Sequence, residues 1–579
     1  MLKKLLSYLG EYKKYAILTP LLVVVEVVCE LIMPRFMAKI VDVGIANQDM
    51  AYILQIGALM FLLAIVSMVC GILSAKFAAQ GGMGYGANLR RGLFEKIQDF
   101  SFADIDRFSS ASLVTRCTND VNAIQMTVVM GLRIITRAPV MLIAALVVAL
   151  TINAQLACVL LVVIPVMAVA VGLLMKVCSH LYTVMQKKID ALNNTVQENL
   201  VAIRVVKAFV RAVDEKKKFK KSNDELTEAG LNASMRVIFM QPIMMLCFNV
   251  ATVAVLYLGG RKVMGGTMLI GDLSSFLTYI FQILMSVMMV AMSLLQLTRA
   301  SACGKRICEV LDTQPDIRQK AGAAGAELPA AAGKVEFRHV SFKYLASGTG
   351  DDVLEDLNFT IEPGQFTAIV GGTGTGKSSL VNLIPRFYDV TDGSVLLDGV
   401  DVKDYPLETL RSRIGMVLQN NVLFSGTIRE NLLWGKPDAT DEELLQAARD
   451  AQAYEFIETL PDGFDTHIDQ GGVNVSGGQK QRLCIARAML KKPAVLILDD
   501  STSAVDSATE AAIRESFKTN LSGTTVIIIA QRISSVQFAD QILILDDGTI
   551  KGGGTHEELL ADNEIYQEIY NSQQEGVLE

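Results

Sequence analysis

Four long stretches of the sequence carry no charged residue, and they constrain the fold more than any other feature. They are residues 50–75, 138–175, 237–260 and 273–298. A helix needs about 20 apolar residues to cross a bilayer core, and inside lipid only helices and closed barrels satisfy their backbone polar groups. Residues 138–175 are long enough for two spans. The sequence therefore predicts six transmembrane helices, at approximately 15–37, 52–78, 134–152, 155–178, 237–260 and 273–297.

The charge balance differs sharply between the two halves of the chain. Residues 1–306 carry 31 Lys and Arg against 18 Asp and Glu, whereas the remainder carries 22 against 42. The long connections 80–134 and 180–236 are basic, so the positive-inside rule places them, both termini and the second half in the cytoplasm. The net charge of −7 argues against a nucleic-acid partner, because binding to phosphates requires surplus positive charge. We expect a multi-pass protein of a plasma (inner) membrane.

Two glutamates interrupt the first predicted span. Glu26 and Glu30 are one helical turn apart and share a face. A carboxylate pair inside a bilayer can mark a polar cavity that favours cationic substrates. The alternative is that the two side chains face a solvated vestibule or pair with a basic residue.

Methionine is frequent in the last two predicted spans. Flexible thioethers suit a surface that repacks around varied ligands, although methionine is also an ordinary membrane residue. The methionines concerned are Met240, Met244, Met245, Met285, Met288, Met289 and Met292.

The second half contains a glycine-rich loop between a predicted strand and a predicted helix. Residues 366–370 are apolar, and residues 371–378 follow with the sequence GGTGTGKS. This is the GxxxxGK[ST] pattern in its strand–loop–helix context. Glycines let backbone N–H groups surround phosphate oxygens, Lys377 reaches the β- and γ-phosphates, and the Ser378 hydroxyl can bind Mg²⁺. We predict a membrane domain at 1–306, a small-residue linker at 307–333 and an ATP-binding domain at 334–579.

Two further motifs accompany this loop. The apolar strand 494–498 ends in Asp499 and Asp500, as expected for a magnesium site beside a phosphate loop. Residues 475–482, VSGGQKQR, begin a predicted helix, and a glycine-rich helix start is a second anion site.

Together these motifs and the six preceding spans resemble an ABC transporter of the exporter type, over essentially the whole chain. The resemblance implies six long transmembrane helices followed by an α/β P-loop NTPase nucleotide-binding domain, with ATP and Mg²⁺ as cofactors. In that family two nucleotide-binding domains pair head to tail, so that ATP lies between the loop of one and the signature motif of the other. The loops around 109–120 and 197–209 resemble the cytoplasmic segments that dock on the ATPase.

The resemblance also assigns roles to individual residues. Tyr344 would stack on adenine, Gln419 would sense the γ-phosphate and bind Mg²⁺, and residues 503–506 match the D-loop. The residues expected to contact ATP are Tyr344, Gly371, Gly372, Thr373, Gly374, Thr375, Gly376, Lys377, Ser378, Ser379 and Gln419. The residues expected to contact the partner's ATP are Ser476, Gly477, Gly478 and Gln479. The expected Mg²⁺ ligands are Ser378, Gln419 and Asp499, and the catalytic candidates are Asp500, Gln531 and Lys377.

The sequence departs from the family pattern at two positions beside the γ-phosphate. The family usually has Glu where this chain has Asp500, and His where it has Gln531. The shorter carboxylate is withdrawn by about one bond length, and a misplacement of about 1 Å can cost about 10²-fold in rate. A neutral amide cannot bring positive charge to the phosphate. Both changes predict a weakly hydrolytic site.

The signature motif is intact, and in a head-to-tail dimer it serves the partner's ATP. The chain therefore resembles the degenerate-site subunit of a heterodimeric exporter, with an unlike second half-transporter as its partner. We expect a bacterial exporter that moves small hydrophobic or amphipathic compounds out of the cytoplasm or inner leaflet. The alternatives are a mainly regulatory ATP-binding subunit that gates a competent partner, and an importer built on the exporter plan.

Overall fold

A computed structural model describes residues 1–318, 328–344, 352–500 and 505–578. The chain divides into two units. The first comprises Met1–Gln98 and Ala111–Thr313, and the second comprises Asp99–Ser110 and Gln314–Glu579. Part of the predicted linker, residues 319–327, lies outside the described residues. Its first six residues, 307–312, continue the last helix of the first unit.

The first unit is entirely helical where it is described. Short π-helical stretches at Ile40–Ile45, Arg116–Asp120 and Gly131–Ile135 extend or join its helices. The helices are α1 Leu2–Ser7, α2 Lys13–Lys39, α3 Met50–Gln98, α5 Ser110–Thr115, α6 Val121–Met130, α7 Thr136–Ile152, α8 Ala154–Val201, α9 Ile203–Ala208, α10 Ala212–Ile238, α11 Met240–Met264 and α12 Ile270–Asp312; α4, Phe102–Phe108, lies in the second unit.

Six helical segments among the described residues are long and apolar enough to cross a membrane, which confirms the predicted number. Each is 36–53 residues long, well beyond the roughly 20 residues that a bilayer core requires. The additional length lies in the basic connections, which continue as helix. The segments are Gly10–Ile45, Met50–Gln98, Ser110–Ile152, Ala154–Val201, Ala212–Met264 and Ile270–Asp312.

An ion-paired cluster lies between α2 and α7. Arg137 Nη1 is 2.5 Å from Glu26 Oε1, and Arg137 Nη2 is 2.7 Å from both carboxylate oxygens of Glu30. Glu26 is 7% exposed. The structure therefore favours the interpretation in which a basic residue pairs with both glutamates.

The second unit is built on a six-stranded sheet in the order β12-β11-β3-β10-β9-β6. Only β12 runs antiparallel to its neighbour. Its strands are β3 Phe366–Val370, β6 Ile414–Val417, β9 Val495–Asp499, β10 Thr525–Ile529, β11 Gln541–Asp546 and β12 Thr549–Gly554. Strands β3, β9 and β10 are buried along their whole length, as expected for parallel strands covered on both faces.

The remaining strands form two smaller sheets. One has the order β2-β1-β4-β5 and the other pairs β7 with β8. These strands are β1 Val335–Phe342, β2 Leu354–Ile361, β4 Asp392–Leu397, β5 Val400–Asp401, β7 Gly426–Thr427 and β8 His467–Ile468. The helices after residue 370 are α13 Lys377–Leu383, α14 Leu407–Arg413, α15 Ile428–Leu433, α16 Asp441–Asp450, α17 Tyr454–Glu458, α18 Gly477–Leu490, α19 Ser507–Asn520, α20 His556–Asp562 and α21 Glu564–Leu578.

The short helix α4 belongs to this second unit although its neighbours in sequence belong to the first. Ser101 and Asp104 form a capping box at its start, which satisfies two otherwise unpaired backbone N–H groups. The Phe102 ring packs on the Phe387 ring with centroids 4.4 Å apart, and the Tyr388 hydroxyl donates to Asp106 at 2.9 Å. Burial and this hydrogen bond raise the pKa of Tyr388 above its usual range.

The predicted docking segments are therefore partly corrected. The segment that packs in the second unit is 99–110, about ten residues before the predicted 109–120, most of which is helical and lies in the first unit. The second predicted segment, 197–209, lies in the first unit, and its docking stays a prediction.

We expect Arg137→Met to destabilise the first unit. The substitution leaves two carboxylates without their shared cation, and breaking a buried ion pair by removing one partner costs about 3–5 kcal/mol. The thermal midpoint of the purified full-length protein in lipid nanodiscs should fall clearly, and Arg133→Met on the same helical segment should change it much less. Equal shifts for the two variants would contradict this interpretation.

We expect Tyr388→Phe to loosen the segment 99–110. The lost hydrogen bond contributes about 1 kcal/mol after solvent screening, so amide hydrogen exchange in this segment should accelerate roughly fivefold. The matched control is Tyr405→Phe, which loses a hydroxyl bond to the Leu397 carbonyl in the same unit but should leave exchange in 99–110 unchanged.

Candidate nucleotide-binding site

The glycine-rich loop follows β3 directly and ends at the start of α13. A Cβ atom on Gly371 would lie 2.0 Å from the carbonyl oxygen of Leu545 on β11, so only glycine fits at the exit of the strand. Gly376 has φ +95°, a backbone region that disfavours side chains. The loop thus makes a tight, glycine-rich turn in front of the helix, as a loop whose backbone N–H groups surround a phosphate requires.

Lys377 begins α13, and its side chain folds back over the glycine-rich loop. Its ammonium group donates to the carbonyl of Gly371 at 3.0 Å and also to the carbonyl of Gly372. Burial lowers the pKa of Lys377, and the nearby carboxylates of Asp499 and Asp500 oppose the shift. The cation is therefore held over the loop, close to two acidic groups.

Ser378 and Asp499 provide two neighbouring oxygen groups. The Ser378 hydroxyl donates to Asp499 Oδ1 at 2.9 Å, and Asp499 is 4% exposed. Burial raises the pKa of Asp499, which the hydrogen bond from Ser378 counteracts. A hydroxyl beside a carboxylate is a ligand set that suits Mg²⁺, which prefers oxygen ligands and completes its shell with water and phosphate.

Asp500 and Gln531 are joined directly. Gln531 Nε2 donates to Asp500 Oδ2 at 3.1 Å. The backbone of Asp500 has φ +47°, a region that aspartate tolerates better than most residues, and its N–H donates to the Ile529 carbonyl at 3.0 Å. Burial is the largest cause of a raised pKa at Asp500. The two residues that depart from the family pattern therefore contact each other.

Gln419 and Tyr344 lie at the margins of this group. Strand β6 pairs with β9 in parallel, Val417 opposite Leu498, so Gln419 follows β6 at the same sheet edge as Asp499. Its side chain is exposed. The Tyr344 hydroxyl lies 2.9 Å from Ser379 Oγ.

The signature residues lie at the start of α18. Ser476 caps the helix, and with Gln479 it forms a capping box. Ser476 and Gly477 are exposed. Within the described part of the chain, residues 476–479 make no hydrogen bond to the loop 371–379. Of the predicted D-loop, residues 503 and 504 lie outside the described residues, and Asp506 caps α19.

Three contacting residues were missed in the sequence. Asp106 and Tyr388 join α4 to the second unit, and the only sequence signal for α4 is the Ser101-x-x-Asp104 spacing of a capping box. Gln573 on α21 bonds to the backbone at Gln531 and Ile533. No local pattern marks Gln573, because its partners lie about 40 positions earlier in the chain.

Comparison with known proteins agrees with this architecture. Residues 16–287 match the family model described as ABC transporter transmembrane region, and residues 354–503 match the model described as ABC transporter. The chain is 40% identical over 572 residues to the uncharacterized ABC transporter ATP-binding protein YfiB of Bacillus subtilis, covering 99% of this chain and 98% of that protein.

Two further similarities concern proteins with more specific descriptions. An ATP-dependent lipid A-core flippase of Syntrophus aciditrophicus is 35% identical over 489 residues, covering 84% of this chain and 80% of the flippase. The solved structure of a bacterial Atm1-family ABC exporter with ATP bound has a TM-score of 0.82, with 98% of this chain and 99% of that chain covered, at 24% identity. The chain therefore belongs to the ABC transporter family and carries its membrane region and its ATP-binding region on one polypeptide.

Proposed function

We propose that this protein is one subunit of an ATP-driven exporter and that its own ATP site hydrolyses slowly. The contact between Gln531 Nε2 and Asp500 Oδ2 at 3.1 Å is the observation that supports slow hydrolysis. The nucleotide-binding domain and both termini are cytoplasmic in this proposal, as the basic connections of the first half indicate.

ATP binding in this proposal uses the glycine-rich loop and the polar side chains beside it. The backbone N–H groups of residues 371–376 and the ammonium group of Lys377 bind the phosphates, and Tyr344 stacks on adenine. Ser378 and Asp499 bind Mg²⁺, with Gln419 as a further oxygen ligand. The 2.9 Å separation of Ser378 Oγ and Asp499 Oδ1 supports this ligand set.

Slow hydrolysis follows from the chemistry at the sheet edge. A carboxylate in this position acts by accepting a proton from, or polarising, the attacking water. Here Asp500 is one methylene shorter than Glu, and one of its oxygens already accepts the Gln531 amide. Gln531 is neutral, so it stabilises negative charge on a transferring phosphoryl group less than a cation would.

The signature segment supports a head-to-tail dimer with an unlike chain. Ser476 and Gly477 are exposed at the start of α18, a 14-residue helix, and helix N-termini bind phosphate oxygens well. An intact signature on a chain with a weak hydrolytic site is useful only if it completes a competent site elsewhere. We therefore propose a heterodimer in which the partner contributes Glu and His at the equivalent positions.

The proposed substrate is a small hydrophobic or amphipathic compound. Met285, Met289 and Met292 lie on one face of α12 and are 38–49% exposed in this chain, a flexible apolar surface that can adapt to varied ligands. The similarity to an ATP-dependent lipid A-core flippase supports the amphipathic character of the proposed substrate. Uptake measurements in inverted membrane vesicles distinguish export from import.

We expect Asp500→Glu to increase ATP turnover about tenfold to hundredfold. The longer side chain brings the carboxylate about 1 Å further toward the water position, and displacements of this size change rates by about 10²-fold. Turnover at this chain's site would be measured on the full-length protein assembled with its partner chain in lipid nanodiscs. Asp500→Asn, which removes the carboxylate at the original length, is the matched control and should give no gain. An unchanged rate in Asp500→Glu would favour the regulatory alternative.

We expect the chain purified alone to turn over ATP near background, and to become active when its partner is added. The reason is that each site in an unlike pair needs residues from both chains. Subunit stoichiometry by native mass spectrometry and steady-state turnover, measured on the same nanodisc sample, check this. A stable homodimer with rapid turnover would contradict both the weak site and the unlike partner.

A further inference from the structure

The C-terminal helix α21 contacts the segment that carries Gln531. The side-chain amide of Gln573 makes two hydrogen bonds to this segment: its Nε2 donates to the carbonyl of Gln531 at 2.7 Å, and its Oε1 accepts the N–H of Ile533 at 2.9 Å. One primary amide thus pairs with two backbone groups on either side of Arg532. A neighbouring peptide group would supply the same pair, one N–H donor and one C=O acceptor. The glutamine side chain can replace it because its amide carries both a donor and an acceptor.

The position of Gln573 is set by packing further back along α21. Tyr566 is fully buried, and its hydroxyl lies 2.7 Å from His556 Nδ1 on α20. Ile569 and Tyr570 pack against the same hydrophobic core. Residue 573 follows residue 566 by seven positions, so both lie on one helix face. The buried side of the helix therefore orients the amide toward the segment 531–533.

The contact leads to the nucleotide-binding site in two steps. Gln573 holds the backbone of Gln531, and the Gln531 side chain donates to Asp500. Asp500 directly follows Asp499, whose Oδ1 accepts the Ser378 hydroxyl at 2.9 Å. Lys377, the residue before Ser378, donates from its ammonium group to the carbonyls of Gly371 and Gly372 in the glycine-rich loop. The backbone of residues 530–532 has no regular secondary structure, so these side-chain hydrogen bonds, together with the buried side chains of Ala530 and Ile533, hold it in place.

We propose that Gln573 is a positioning residue for the nucleotide site. Its amide fixes the backbone of residues 531–533 so that the Gln531 side chain stays on Asp500, and α21 thereby determines how long Mg·ATP remains bound to this chain. The inference rests on the proposed ATP-site role of Gln531, but it is independent of the rate of hydrolysis and of the identity of the partner.

The test is a double-mutant cycle on the full-length protein in lipid nanodiscs, read as the rate of release of Mg·mant-ATP. Gln573→Met keeps the length of the side chain and removes both hydrogen bonds. We expect it to accelerate release about threefold to tenfold, the effect of losing one or two neutral hydrogen bonds. Gln531→Ala should give a similar acceleration. The double variant should release no faster than either single variant, because both changes interrupt the same connection.

Two measurements separate positioning from a merely structural role. Amide exchange of the peptide containing Ile533 should accelerate in Gln573→Met, since its N–H loses its acceptor. The matched control is Gln567→Met on the same helix, which removes amide bonds to the carbonyls of Leu560 and Ala561 and should leave nucleotide release unchanged. Gln573→Glu keeps an acceptor for Ile533 but places a carboxylate oxygen against the Gln531 carbonyl. Two acceptors repel each other, so this variant should accelerate release at least as much as Gln573→Met.

Three outcomes would overturn the proposal. They are unchanged release in Gln573→Met, effects of the two substitutions that multiply in the double variant, and equal acceleration in Gln567→Met. A lower thermal midpoint without faster release would likewise assign Gln573 a structural role only. The proposed function fails on different observations, namely rapid turnover of a homodimer, so the two results are distinguishable.

Discussion

Parallel pairing of buried strands is the constraint on which the nucleotide site depends. Strands β3, β10 and β9 lie side by side in register, with Ile529 opposite both Ile369 and Asp499. Their carboxyl ends therefore meet at one edge of the sheet. This alignment brings together the glycine loop, the Asp499–Asp500 pair and Gln531, three segments spread over about 160 positions of the chain. Ligand sites in open α/β sheets form at this edge for the same reason.

Side-chain hydrogen bonds connect two further elements to this unit. Helix α4 is attached through Tyr388 and Asp106, and α21 is attached through Gln573. The Tyr388 ring also packs edge-on against Tyr344, with centroids 5.2 Å apart, and the Tyr344 hydroxyl reaches Ser379. Both elements therefore reach the phosphate-binding region through only a few contacts.

The helices of the membrane half are held together by different interactions. They are held by close packing of apolar surfaces, because lipid supplies no hydrophobic driving force between helices. Polar contacts between these helices add to this packing: Arg137 joins Glu26 and Glu30, and the Tyr279 hydroxyl donates to the Leu31 carbonyl. Arg137 stands immediately before an uncharged stretch, and the sequence alone indicated no partner for the two glutamates. The pairing became evident only when α2 and α7 were placed side by side, since 107–111 positions separate the residues.

The sequence by itself determined the six spans, the glycine-rich loop between β3 and α13, the strand end at Asp499 and the start of α18. Each depends on local spacing: uncharged length, glycine positions, a strand end and a helix cap. It predicted docking segments at 109–120 and 197–209, whereas the segment that packs in the second unit is 99–110, because its ring contacts involve Phe387 and Tyr388. The contact of Gln531 with Asp500, and that of Gln573 with residues 531–533, were decided by the tertiary structure alone. These contacts require strand register and helix packing over long chain separations, which no local pattern encodes.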